Sequence, residues 1–393
     1  MDITIQPGLL SGTIQAIPSK SQAHRILICA AFADSPTTII CPDTNQDIEA
    51  TANCLRALGA EIHRTEVGYQ VTPITAIPQT AVLNCNESGS TLRFMLPIVG
   101  ALGTDAIFHM AGRLPQRPLS PLWEEMERMG CRLSRPSTDI LRCQGQLSCG
   151  HYAIPGNVSS QFITGLLFAA ALLSGKTKIE VIGNLESAPY VEMTQAAMAL
   201  FGADTKGMQV NGPIKFHSPG EVTVEGDWSN GAFWLAANAL GSNLTITNLR
   251  PDSPQGDKAV RSLLMALENS VTIDARNTPD LVPILAVTAG AKKGATFINC
   301  ARLRLKETDR LLTTAAMIQN LGGKAQIQDD TLIVSGTGYC GGTVDATNDH
   351  RIVMSAAIAA TVCDSPVTII NAQEVRKPYP AFWRDYEMLG GKI

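Results

Sequence analysis

No C-x-x-C pair occurs among the ten cysteines, which stand at 29, 41, 54, 85, 131, 143, 149, 300, 340 and 363. Most lie among apolar residues, the pattern of reduced thiols in a reducing compartment, which leaves neither a zinc site nor a disulfide scaffold. No apolar run approaches the ~18 residues of a membrane span, and MDITIQPGLL lacks both a basic n-region and a long apolar stretch. The expectation is a cytoplasmic protein with no membrane partner. Aromatics are scarce at 5%, charged residues make up only 17%, and no low-complexity segment appears. Lys plus Arg total 31 against 35 Asp plus Glu, a formal charge of -4, so bulk positive charge does not hold a nucleic acid here. An anionic ligand must be met by a local concentration of cations. Also missing are G-x-G-x-x-G, Walker A, H-E-x-x-H and G-x-S-x-G, and the six histidines show no metal-ligand spacing. Nicotinamide dehydrogenases, P-loop proteins and zinc hydrolases lose their support.

What is present is apolar material: 393 residues that are 45% hydrophobic, more than one core of ordinary size holds. A weak repeat organises it, six times at a spacing of roughly 65 residues. Each unit opens with a small polar cluster running straight into a helix of small apolar residues. The openings are PSKSQAHRILICAAFA (18–33), ESGSTLRFMLPIVGAL (87–102), SSQFITGLLFAAALL (159–173), WSNGAFWLAANAL (228–240), TPDLVPILAVTAG (278–290) and NDHRIVMSAAIAATV (348–362). A turn, a β-branched strand and an amphipathic second helix follow. The first helices are apolar on all sides, which predicts that they lie inside a shell of their own sheets. Their polar N-termini must then emerge together, and converging helix N-termini favour anions.

The last unit ends at Lys392-Ile393 without a closing strand, and the opening strand MDITIQP has the pattern to replace it. This predicts one lobe from residues 1–17 plus 222–393 and a second from 18–221. A cleft between two lobes is a favoured ligand site.

The densest chemical signal is INCARLRLKETDRL (298–311). Read as a strand to residue 306, its period of two places Arg302, Arg304 and Lys306 on one face, with Glu307 at the strand end and Arg310 in the first turn of the next helix. Further clusters supply Lys20, Ser21 and Arg25; Gly89 and Arg93; Ser159, Ser160 and Gln161; His350 and Arg351; and Arg376 with Lys377. Arg117 precedes a helix whose expected cap is Ser120 with Pro121 at its first position. Asp280 opens a nearly uncharged helix, where cations would keep it ionised as a base must be.

LRLKETDRL and NDHR as the most specific pieces, with PSKSQAHR, SGSTLR, QRPL, SSQF, SAPY and RKPYP in the expected sequence, resemble the 5-enolpyruvylshikimate-3-phosphate synthases over essentially the whole chain. The resemblance implies an α/β (α+β) fold: a two-lobed inside-out α/β barrel of six βαβαββ repeats, three per lobe, with the active site in the interlobe cleft. It implies transfer of the enolpyruvyl group of phosphoenolpyruvate to the 5-hydroxyl of 3-phosphoshikimate, without metal or organic cofactor. Lys20, Ser21, Arg25, Ser159, Ser160, Gln161, Ser187, Asp280 and Lys306 should hold 3-phosphoshikimate, with Tyr190 packing on its ring. Lys20, Gly89, Arg117, Gln161, Arg310, Arg351 and Lys377 should hold phosphoenolpyruvate. Asp280, Glu307 and Lys20 are the implied catalytic residues, His350 a further candidate for proton transfer. The substrates carry about five negative charges between them, which accounts for so many cations in motif positions.

Two positions depart from the family: Arg302 stands where relatives have Asn or Glu, and Glu87 where many have Asn. SSQF lacks the lysine of glyphosate-tolerant relatives, so inhibition by glyphosate is expected. A UDP-N-acetylglucosamine enolpyruvyl transferase is the nearest alternative, but GRLPQRPLSP (112–121) lacks its cysteine. A non-catalytic repeat scaffold is the other, and it leaves the cations at the helix starts unexplained. The expected state is a monomer, because no exposed apolar stripe is evident.

Overall fold

The structure is a computed structural model describing residues 1–393, the Lys206 side chain excepted. Strands β1 (Ile3–Ile5) and β2 (Ser11–Gln15) open the chain. Next come α1 (Lys20–Ala31), β3 (Thr37–Ile40), α2 (Gln46–Ala57), β4 (Glu61–Arg64), β5 (Gly68–Thr72), β6 (Thr80–Asn84), α3 (Gly89–Leu102) and β7 (Asp105–His109). They are followed by α4 (Leu122–Arg128), β8 (Cys131–Ser137), β9 (Ile140–Gly145), β10 (His151–Pro155), α5 (Ser160–Leu172), β11 (Gly175–Ile182), α6 (Ala188–Leu200) and β12 (Gln209–Gly212). After β13 (Glu221–Thr223) stand α7 (Trp228–Ala239), β14 (Asn243–Thr247), α8 (Val260–Ala266), β15 (Val271–Asp274), α9 (Val282–Ala291) and β16 (Ala295–Ile298). The remainder is α10 (Arg310–Asn320), β17 (Lys324–Gln328), β18 (Thr331–Ser335), β19 (Gly342–Asp345), α11 (His350–Ala360), β20 (Val367–Ile370) and α12 (Phe382–Met388).

One pairing rule recurs. The strands before and after an apolar helix pair in parallel: β6 with β7 around α3, β10 with β11 around α5, β15 with β16 around α9, and β19 with β20 around α11. At α1 and α7 the partners are exchanged. Strand β2 precedes α1 but pairs with β14, and β13 precedes α7 but pairs with β3. That exchange divides the chain into two compact units, residues 1–17 with 225–393 and residues 18–224. The division expected at 221/222 falls at 224/225, because β13 is hydrogen-bonded to β3 and stays with the second unit. Strand β1 pairs antiparallel with β20, and a bridge joins Gln6 to Lys392.

Each unit has its own core, and the helices that open the motifs lie in it. In α3, α5, α9 and α11 nearly every residue is buried. Small residues permit this. A Cβ at Gly165 of α5 would stand 2.2 Å from the Arg93 carbonyl oxygen of α3, so the two helices meet at backbone distance. Burying such helices on all sides leaves only their N-terminal turns for chemistry.

Two local expectations need correction. The run 298–306 is not a strand: β16 ends at Ile298, Asn299 adopts a left-handed conformation (φ 60°), and Ala301–Leu305 form a 3-10 turn. Its alternation therefore does not align the cations. Nor does Ser120 cap α4, for Pro121 occupies the cap position and no side chain caps that helix.

Candidate active site

In the unit of residues 18–224, three helix starts carry the cluster. Ser19 caps α1 by accepting from Gln22 N, Ser88 caps α3 by accepting from Thr91 N, and Ser159 caps α5 by accepting from Gln161 N at 3.3 Å. Lys20 then sits 2.9 Å from Asp47 Oδ2. Arg25, one turn further along α1, is 2% exposed. Its Nε donates to Thr194 Oγ1 at 2.8 Å, and its two Nη atoms to the carbonyls of Ser21 (2.6 Å) and Tyr190 (2.9 Å). The guanidinium lies 5.1 Å from the Phe94 ring centroid. Burial pulls its pKa down to about 10, with Tyr190 opposing, so the cation is held by neutral acceptors.

Gly89 explains how the arginines gather. A Cβ there would lie 2.6 Å from Arg117 Nη1 and 2.7 Å from Arg93 Nη1. Only glycine leaves space for two guanidinium groups against the start of α3. Arg93 also donates to the Pro118 carbonyl (2.9 Å) and lies over Phe162. Gln161 reaches from α5 to Ser90 Oγ at 2.9 Å, linking the starts of α5 and α3. Ser160 is buried at the same turn. Ser187 stands in a left-handed conformation (φ 56°) before α6.

The second cluster, in residues 225–393, centres on Arg310. This side chain is 1% exposed and meets three acids: Asp349 Oδ2 at 2.9 Å, Asp280 Oδ1 at 2.7 Å and Glu307 Oε2 at 2.6 Å. Asp349 also caps α11, accepting from Arg351 N. Lys306 Nζ is 3.1 Å from Asp280 Oδ1, and Arg351 donates to the Asp280 carbonyl at 3.1 Å and to Ser229 Oγ at 2.8 Å. Burial pushes the Asp280 carboxyl up, but Lys306, Arg351 and Arg310 outweigh it and hold the group well below the carboxylate range. Burial lowers Lys306, with Asp280 opposing. For Arg310 burial works against the charge, while Asp349, Glu307 and Asp280 raise its pKa above the ordinary value.

One expected residue stands apart from the Arg310 network. Arg304 is turned to Asp309 (3.1 Å), Asp330 (3.6 Å) and the Asp329 carbonyl, a consequence of the 3-10 turn. Lys377 ends the turn Ala372–Arg376, with its backbone N bonded to the Glu374 carbonyl, and Arg376 beside it is exposed. His350 is buried next to Arg351. Residues not singled out from the sequence are Asp47, Thr194, Ser229, Asp257 and Asp349. The only local signal for Asp349 was its place immediately before His350 and Arg351. Asp47 and Asp257 carry no distinctive local signal, each being an acid in the first turn of its element.

The chemistry on offer is anion binding in one unit, and in the other a set of carboxylates interleaved with fixed cations. Two solved structures share the fold over almost the full chain. EPSP synthase from Acinetobacter baumannii gives a TM-score of 0.81 at 21% identity, covering 99% of this chain and 98% of that one. The enolpyruvyl transferase NikO from Streptomyces tendae gives 0.75 at 20% identity, covering 99% and 97%. The chain shares the fold of these two proteins. The sequence narrows the family. The family model EPSP synthase (3-phosphoshikimate 1-carboxyvinyltransferase) matches residues 5–277 and 265–386. A 3-phosphoshikimate 1-carboxyvinyltransferase from Clostridium kluyveri is 36% identical over 100% of this chain and 98% of its own length. The chain belongs to the EPSP synthase family and is a transferase.

Proposed function

We propose that the Lys20–Arg25–Arg117 cluster and the Asp280–Arg310 cluster serve one reaction and divide its work. The enzyme transfers the enolpyruvyl group of phosphoenolpyruvate to the 5-hydroxyl of 3-phosphoshikimate and releases phosphate, a step of the shikimate pathway toward aromatic amino acids. In our reading Lys20, Ser21, Arg25, Ser159, Ser160, Gln161, Ser187, Asp280 and Lys306 hold 3-phosphoshikimate. Lys20, Gly89, Arg117, Gln161, Arg310, Arg351 and Lys377 hold phosphoenolpyruvate. The finer architecture belongs to the same proposal: six βαβαββ repeats, three per lobe. The recurrent parallel pairing around apolar helices supports it.

Asp280 takes the proton of the 5-hydroxyl as that oxygen bonds to C2 of phosphoenolpyruvate, while Glu307 gives a proton to the methylene carbon. The product is a tetrahedral intermediate. Elimination reverses the proton roles: the C–O bond to phosphate breaks with its electron pair, Glu307 recovers the methyl proton and Asp280 returns its own. Lys20 assists at either step. Arginines fixed before the reaction begins stabilise the departing phosphate without reorganising, a contribution of several kcal/mol.

The observation that carries these roles is the convergence of three cations on Asp280, with Glu307 tied to one of them. Phosphate release from phosphoenolpyruvate plus 3-phosphoshikimate is the test, with Asp280→Ala and Glu307→Ala alongside. Turnover by the parent chain and its loss in both variants is the expected result. Full activity in the two variants would refute the proton roles. The cytoplasmic setting we propose is supported by ten free cysteines, eight of them buried.

A further inference from the structure

Asp257 lies in the 3-10 turn Gly256–Ala259, which packs on α7, and is 3% exposed. Neither of its carboxyl oxygens has a partner at full hydrogen-bond geometry, although the Ser229 hydroxyl is within reach. A buried acid without a counter-ion is expensive, and an amide or an apolar group would fill the space at lower cost. What surrounds it is the proton-handling half of the site. Ser229 accepts from Arg351 Nη2 at 2.8 Å, and this leaves the serine's own proton for Asp257. The same guanidinium donates from Nη1 to the Asp280 carbonyl at 3.1 Å, and its Nη2 lies 3.7 Å from Asp280 Oδ2. A relay therefore runs Asp257, Ser229, Arg351, Asp280.

Its electrical sense follows from the three cations around Asp280. A carboxylate held too firmly in its ionised form is a weak base, and a second anion behind Arg351 counters that. The other charged groups near Asp257 are Asp227, which caps α7, Arg261 of α8, stacked on Trp228, and Lys258, bonded to the Ser253 carbonyl. Arg351, whose Nη2 lies 3.7 Å from Asp280 Oδ2, is the cation that links Asp257 to Asp280.

We propose that Asp257 is a positioning residue for enolpyruvyl transfer: its buried carboxylate, through Ser229, fixes Arg351 against Asp280 and offsets the positive charge around that aspartate. The inference rests on Asp280 acting as the base. It supplies a reason for a buried acid that binds nothing itself. Burial, with Asp280 adding to it, raises its pKa to about 6, which makes its ionisation visible in a rate profile.

The experiment is steady-state kinetics of the full chain from pH 5 to 9, with Asp257→Asn, Ser229→Ala and Asp280→Ala. Asp257→Asn should lower kcat about tenfold, leave KM for both substrates within about threefold, and displace the acid limb of the kcat profile. Ser229→Ala should reproduce the fall in kcat, and it decides the matter if the asparagine variant does not fold. Parent-like kcat and an unmoved acid limb in Asp257→Asn overturn the proposal, provided Asp280→Ala is inactive. An active Asp280→Ala would instead overturn the assignment of the base, and the proposal with it.

Discussion

The two clusters hold their arginines in opposite ways. Around residues 20–190, Arg25 and Arg93 rest on carbonyls, threonine hydroxyls and aromatic faces, and the acid bonded to Lys20 is Asp47. Around Arg310 each cation meets carboxylates: Asp280, Glu307 and Asp349. Neutral acceptors leave the positive charge of Arg25 uncompensated, and this is what a phosphate or carboxylate substrate requires. Interleaved acids compensate the charge and set the protonation states needed to move protons. In the proposed reaction the first cluster serves mainly to bind and the second adds the proton-handling acids.

Asp280→Ala puts that division to its strongest test, with kcat expected to fall by about 10³ while the dissociation constant of 3-phosphoshikimate changes far less. Stopped-flow or quench measurements of the first turnover check it; an equal loss in binding and turnover would erase the distinction. Arg310→Ala comes next. Removing this guanidinium takes an ion-pair partner from three acids, one of them, Asp349, fully buried, and should cost about 3–5 kcal/mol in chemical unfolding. An exposed pair such as Arg250–Asp252, replaced in the same way, should change little.

Gly89→Ala sharpens the other side. Its added methyl falls 2.6 Å from Arg117 Nη1, so the guanidinium must shift, and KM for phosphoenolpyruvate should rise about tenfold with kcat nearly unchanged.

The units should also respond oppositely to acid. His24 is buried on α1 against Thr51, and burial lowers its pKa to about 3, below the unfolded value near 6.5. The unfolded chain binds the proton first, so this contribution to stability is lost as pH falls from about 6.5 toward 3. Asp257 runs the other way: its folded pKa of about 6 exceeds the ordinary carboxyl value of 3.8, so the folded state binds the proton first. Stability from that site therefore rises as pH falls from about 6 toward 4, by about 2 kcal/mol, and Asp257→Asn should remove the dependence. Denaturant titrations of His24→Asn and Asp257→Asn across this range would show the two slopes; slopes of equal sign would contradict both assignments.

Much of this was legible in the chain order. Lys20, Arg25, Gly89 and Gln161 stand beside capping serines at the start of helices too apolar for a surface, and the structure brings two of those starts into contact, as between Gln161 and Ser90. The partners were less visible. Asp47 is 27 residues from Lys20, and Asp257 is linked to Asp280 by way of Ser229 and Arg351, so no local spacing marks either. The segment 298–306 misled because alternating Leu and Arg fits a strand, while Asn299 in the left-handed region ends β16 and winds the following residues.

Composition and periodicity by themselves determined that apolar helices would be buried and that their polar first turns would carry the cations, since a helix hydrophobic on all sides has no other place for charge. Only the tertiary structure decided which acids those cations meet. Carboxylate and guanidinium pairing depends on distances of about 3 Å between residues tens of positions apart, and around Arg310 the packing of α9, α10 and α11 on one another sets those distances.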